Sequence, residues 1–179
     1  MTEEANQILA LKPKVLEKYS RYMIAYHLND AFYGDDHHLL VNWYYADAVY
    51  APLYYGFGGH DEYADRQSMA RGHDQEASHR GPDTVLVHLK CTADVVRARK
   101  AADPHVRDIL KDGDIEKVLQ RFQEEFNRSG IRRRFELDTT NATAKETFQQ
   151  WLRQMEPHIT PADRACMLTH ALIMEGTTS

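Results

Sequence analysis

The chain has 179 residues, 42% of them hydrophobic, and a formal net charge of −5 at neutral pH. That length suits one domain with a real core, and the acidic balance excludes a general nucleic-acid coat or a protein that adheres to anionic membranes. The two cysteines, Cys91 and Cys166, have no neighbours at metal-ligand spacing, so neither a zinc cage nor a disulfide framework is indicated.

The opening MTEEANQILALKPK is acidic and lacks an apolar core of leader length. No apolar run reaches bilayer-spanning length, and the cysteine usage suits a reducing compartment. The expectation is a cytoplasmic protein. Ile8, Leu11, Val15, Leu16, Tyr19, Met23 and Tyr26 recur at helical spacing, with Pro13 marking a helix start. Gly34-Asp35-Asp36 reads as a turn. The short apolar run His38-Leu39-Leu40-Val41-Asn42-Trp43 predicts a buried strand. An aromatic stretch from Asp47 to Tyr55 follows, interrupted by Pro52 and closed by the loop Gly56–Gly59.

Residues 61–79 form a polar helix of poor apolar periodicity, and Gly81-Pro82-Asp83 breaks the chain. Thr84-Val85-Leu86-Val87-His88-Leu89, β-branched and apolar, is the clearest strand in the sequence. Thr92 and Asp94 cap a helix running to Arg99, and Asp103-Pro104-His105 begins a connection. Ile115, Val118, Leu119, Phe122 and Phe126 line one face of the next helix, with Asp114 at its N-cap. Arg134–Asp138 alternates as a strand. Thr143 and Glu146 form a capping box ahead of Phe148, Trp151, Leu152 and Met155. Thr160-Pro161 opens a last helix that Gly176 closes. Strands separated by helices imply an α/β fold, three layers (αβα) around a mainly parallel sheet.

Three stretches together resemble the P-loop nucleoside and thymidylate kinase superfamily. Trp43-Tyr44-Tyr45-Ala46-Asp47-Ala48-Val49-Tyr50-Ala51-Pro52 is similar to the segment that lines the substrate pocket. Pro82–Leu89, followed by Thr92–Lys100, resembles a core strand and the helix leading into a basic lid. Phe135–Thr140 with its capped helix resembles the last strand and C-terminal helix. The resemblance spans roughly residues 38–155 and implies phosphoryl transfer from a magnesium-bound ATP to a small acceptor. Two features depart from it. None of the nine glycines precedes a lysine, so the phosphate cradle G-x-x-x-x-G-K-[ST] is absent. The family's aspartate–arginine pair falls at Val41 and Asn42. The expectation is an N-terminally incomplete kinase-like domain that binds a nucleotide or phosphorylated ligand and transfers phosphoryl groups poorly or not at all.

Within that frame Asp47, placed at the carboxyl end of a strand, is the candidate base; it serves equally well as a helix N-cap. Arg97, Arg99 and Lys100 are candidate phosphate ligands, with a solvated helix face as the alternative. Arg66 and Arg71 are weaker candidates for substrate phosphate. Tyr44 and Tyr50 can stack on a base or fill a core. A different class is a non-catalytic interaction domain, with the aromatic stretch 43–57 as a homodimer face. A third is a metal phosphohydrolase using His60-Asp61, His73-Asp74 and His79. Neither a nucleic-acid nor a membrane partner is expected.

Overall fold

Pro13 sets the first boundary as its fixed φ and missing N–H dictate: it occupies the first turn of a helix and ends the one before. In a computed structural model, which describes residues 3–34, 37–104 and 109–176, α1 covers Glu3–Leu9 and α2 covers Pro13–His27. Next come α3 (Trp43–Tyr50), α4 (Arg66–Arg80), β1 (Val85–Lys90), α5 (Ala93–Ala102), α6 (Ile115–Arg128), β2 (Arg133–Asp138), α7 (Ala144–Met155) and α8 (Pro161–Gly176). The arrangement is a mostly helical α/β one. No helix of the described residues is long and apolar enough to cross a membrane.

The sheet of the described residues has two strands, β1 and β2, paired in parallel from Val85 opposite Arg133 to Lys90 opposite Asp138. Parallel neighbours need a crossover, and α5 and α6 supply it. The predicted strand at 38–43 is a correction. Residues 37–41 form neither helix nor strand and have no strand partner among the described residues, and Trp43 already begins α3. The reason lies in the backbone at the junction. Asn42 has φ 65° and ψ −55°, Trp43 has φ 38°, and the Trp43 N–H donates to the Val41 carbonyl at 2.8 Å. This is a γ-turn of the strained hand, which turns the chain out of any strand. Leu39 and Val41 consequently remain 87% and 75% exposed.

The core lies among α2, α3 and α4. Ile24, Leu28, Tyr44, Ala48 and Ala70 form one buried cluster, and Leu16, Ala51 and Phe57 a second. Pro52 lacks an N–H and so widens the end of α3 into a single π turn, Ala51–Tyr55. Gly56 then stops it in the left-handed region, with φ 71°. The aromatic stretch 43–57 therefore supplies the interior rather than an outer face. On α6 the 3.6-residue stripe buries Ile115 and Val118, and its Phe126 ring lies 5.2 Å from that of His88 on β1. The Thr143–Glu146 capping box forms in both directions at the start of α7. The expected turn at Gly34-Asp35-Asp36 and the connection at His105 fall partly outside the described residues.

Candidate functional site

Two groupings of polar residues stand out, and they differ in kind. The first is buried between helices. Arg66, the first residue of α4, is 2% exposed. Its Nε lies 2.8 Å from Asp47 Oδ2, an ion pair whose angle does not make it a hydrogen bond, so both atoms lack hydrogen-bond partners. Its Nη2 donates to the Glu17 carbonyl at 3.2 Å and lies 3.5 Å from that residue's carboxylate. The guanidinium sits 5.0 Å from the Phe57 ring centre. Asp47 also accepts from the Ser20 hydroxyl at 2.9 Å. Burial pushes the Asp47 carboxyl above its ordinary range, and Arg66 and Ser20 only partly offset it.

Gly58 makes this arrangement possible. It has φ 82°, and a Cβ there would lie 2.4 Å from Arg66 Cγ, so any side chain would displace the arginine. Asp65 caps α4, accepting from the N–H groups of Gln67 and Ser68.

A second buried carboxylate, Asp74, accepts from the Tyr44 hydroxyl at 2.8 Å, from the Tyr45 hydroxyl at 2.6 Å and from the Gly130 N–H at 3.0 Å. Tyr45 also shares a 2.7 Å hydrogen bond with Ser129. Arg71 lies 3.4 Å from Asp74 and donates to Glu125 at 2.8 Å. Burial raises the tyrosine hydroxyls and Glu125 above their usual values and holds His73 below its own. Tyr44, Tyr45 and Asp74 thus act as internal struts.

These contacts correct the expected place of Asp47. It lies inside α3 and not beyond a strand, and Asn42, not Asp47, stands at the helix's N-cap. Arg66 and Arg71 face carboxylates of their own chain. Tyr50 is half-buried against Tyr54 and Phe122. On α5, Arg97 pairs with Asp94 at 2.9 Å and with Glu116. Arg99 donates to the Thr139 hydroxyl at 3.0 Å and to its carbonyl at 2.7 Å, and Lys100 pairs with Asp112 at 2.7 Å. The α5 cations thereby pin the crossover and β2's exit, and none of these contacts reaches Asp47.

Of the histidine pairs, His60-Asp61 gathers a third ligand atom from Asp65, all within 4.8 Å of one another and at the surface. His60 directs one ring nitrogen at each carboxylate, 3.3 Å from Asp61 and 3.5 Å from Asp65. Asp74, committed to two tyrosines and Gly130, is not available beside His73.

The second grouping is open. Beyond the carboxyl ends of β1 and β2, two adjoining hollows of about 640 and 220 Å³ share Thr92, Asp138 and Thr140. The larger runs along α7 past Gln149 to Lys145 and Arg153; neither cation has an ion-pair partner among the described residues. The smaller lies between the strands and Leu119 and Gln123 of α6 and reaches Lys90, whose ammonium lies 2.9 Å from Glu136. Lys90, then Gln123 and His88, hold the Glu136 carboxyl down to about 2. Sequence reasoning passed over Thr92, Thr140, Lys145 and Arg153 as site residues. The two strand ends were legible, and the rule that parallel sheets bind ligands beyond them would have pointed to both threonines.

The hollow thus offers two hydroxyls, amide groups and two cations without an ion-pair partner among the described residues, on a strand-and-helix frame. Such a set can hydrogen-bond a polar ring or sugar and neutralise an anionic tail. Comparison with family models, with curated proteins and with solved structures finds no match for this chain.

Proposed function

We propose that this chain binds a nucleotide or another small phosphorylated molecule in the crevice beyond β1 and β2, as a kinase-like domain without phosphoryl-transfer activity of its own. The observation that carries the reading is the open hollow at the carboxyl ends of two parallel strands, where Lys145 and Arg153, without ion-pair partners among the described residues, stand beside Thr92 and Thr140. In this reading β1 and β2 belong to a three-layer arrangement of the P-loop kinase type. The ligand's phosphates face Lys145 and Arg153, and its polar ring or sugar faces Gln149 and the two threonines.

Catalysis is left out for two reasons. The glycine-rich loop that stabilises charge developing on a transferred phosphoryl group is absent from the sequence. Asp47, the candidate base, is fixed between Ser20 and Arg66, away from the crevice. Magnesium favours several oxygen ligands. The carboxylates near the crevice are engaged: Asp138 accepts from the Thr140 N–H, and Glu146 from the Thr143 N–H and hydroxyl. They do not fit a resident ion, and no step is derived through one.

Thermal unfolding in the presence of ATP, ADP, thymidine monophosphate and inorganic phosphate tests the reading. A ligand at a hundredfold excess over its Kd stabilises the fold by about 2.7 kcal/mol, which appears as a rise in Tm. The K145Q/R153Q double variant should lose that rise and keep its own unliganded Tm. Indifference of the wild-type protein to all four ligands at millimolar concentration would sink the proposal.

A further inference from the structure

The two edges of the small sheet are not alike. β2 reads Arg133-Arg134-Phe135-Glu136-Leu137-Asp138, and four charged residues guard it as charges commonly guard an exposed edge. β1 reads Val85-Leu86-Val87-His88-Leu89-Lys90, apolar until its last residue apart from His88. Its pairing with β2 uses one edge only, and the sheet contains no third strand among the described residues. On the other edge, the backbone groups of Val85–Leu89 have no hydrogen-bond partner outside β2 among the described residues. Its faces are unequal too. His88 lies against Phe126 of α6, whereas Leu89, on the opposite face, is 61% exposed. Parallel strands are ordinarily covered on both faces and flanked on both sides. β1 has no second neighbour among the described residues.

The same chain carries a piece, residues 38–41, that lies outside helix and strand and has no strand partner among the described residues; its first residue, His38, packs its ring 4.8 Å from that of Phe32. Leu39, Leu40 and Val41 are all exposed, at 87%, 38% and 75%. The piece is joined to α3 through the strained turn at Asn42, so its present path is not one the backbone favours.

We propose that two copies of this chain associate by exchanging these pieces: residues 38–41 of each copy add as a strand to the free edge of β1 in the other. Strand addition matches main-chain donors to main-chain acceptors and lets alternate side chains fill one face. Leu39 and Val41 then extend the apolar face formed by Val85, Val87 and Leu89. A second copy is the occupant because each copy has one donor piece and one acceptor edge. A two-fold exchange satisfies both at once, whereas any other partner leaves one of them bare. This interface is separate from the crevice beyond the strand ends and does not rest on the ligand proposed there.

Sedimentation velocity of the full chain over a concentration series, with hydrogen exchange of the Val85–Leu89 amides, provides the test. The wild-type protein should dimerise, and protection of those amides should rise with the dimer fraction. L39K/V41K on the donor and L89K on the acceptor change exposed positions and should each raise the dimer dissociation constant at least tenfold. Y22K, at an exposed position on α2 (64% exposed), should leave it unchanged. A wild-type protein that stays monomeric, strand-edge protection independent of concentration, or a dimer indifferent to L39K/V41K would each overturn the proposal. So would loss of the dimer in Y22K.

Discussion

Asp74 serves three donors from two places in the chain with one carboxylate: the adjacent Tyr44 and Tyr45, and the Gly130 N–H. Removing such an acceptor costs more than its bonds contribute, because the donors stay buried and unsatisfied. Asp74→Ala should therefore lower unfolding stability by about 3–5 kcal/mol, measured by urea titration, and Asp74→Asn, which keeps an acceptor oxygen, should cost less. His73 carries a pH signature. Burial holds its imidazole below the ordinary value of 6.5, and its Nε2 lacks a partner. The folded state prefers the neutral ring, so the unfolded chain takes up the proton first as pH falls. The contribution is present above pH 6.5 and is lost as pH falls below that value. His73→Gln should flatten the urea midpoint between about pH 7 and pH 5 relative to the wild-type protein. Equal slopes in the two proteins would count against this account. Tyr44 and Asp47 were legible in the sequence as residues of interest, but their roles were not. Their partners lie 30 and 27 positions along the chain, and no local pattern announces a contact at that distance.

Elements were legible in proportion to how far local chemistry decides them. The β-branched run of β1, the apolar stripe of α6 and the reciprocal Thr143–Glu146 box each state a conformation within a few residues, and each is found where the sequence places it. Thr143→Ala removes a side-chain acceptor from the first turn of α7 and should cost about 1 kcal/mol, seen as a matching fall in chemical stability. Thr143→Ser should restore most of it. Residues 38–43 show where local reading fails. Their apolarity suits a strand, yet strand or exposed ribbon is decided by whether a neighbour accepts the backbone. α4 illustrates the converse. Its outward sequence is polar and weakly periodic, because the residues it buries include Arg66 and Asp74 beside Ala70 and Ala77. A hydrophobicity pattern does not register charges that pair inside. The crevice was hidden for a related reason. Thr92 and Thr140 look like ordinary loop residues until β1 and β2 are seen side by side.

At the scale of the whole molecule, a helical half built on α2, α3 and α4 meets a half built on β1, α6 and β2. Polar contacts between them run from Asp74 to the turn after α6, from Arg71 to Glu125 and from Tyr45 to Ser129, beside the packing of α3 against α6, where Tyr50 meets Phe122. Ion pairs in such a place contribute little net stability, but each is costly to break from one side. They specify how the halves sit more than how firmly they hold. The turn that receives Asp74, at Ser129 and Gly130, leads directly into β2, whose far end forms one wall of the crevice. The stiffness of that wall is therefore set partly by an acid on a helix that never touches the hollow. Damage on the helical side would be felt as slackness in the hollow where the proposed ligand would be gripped, although every residue lining it was intact.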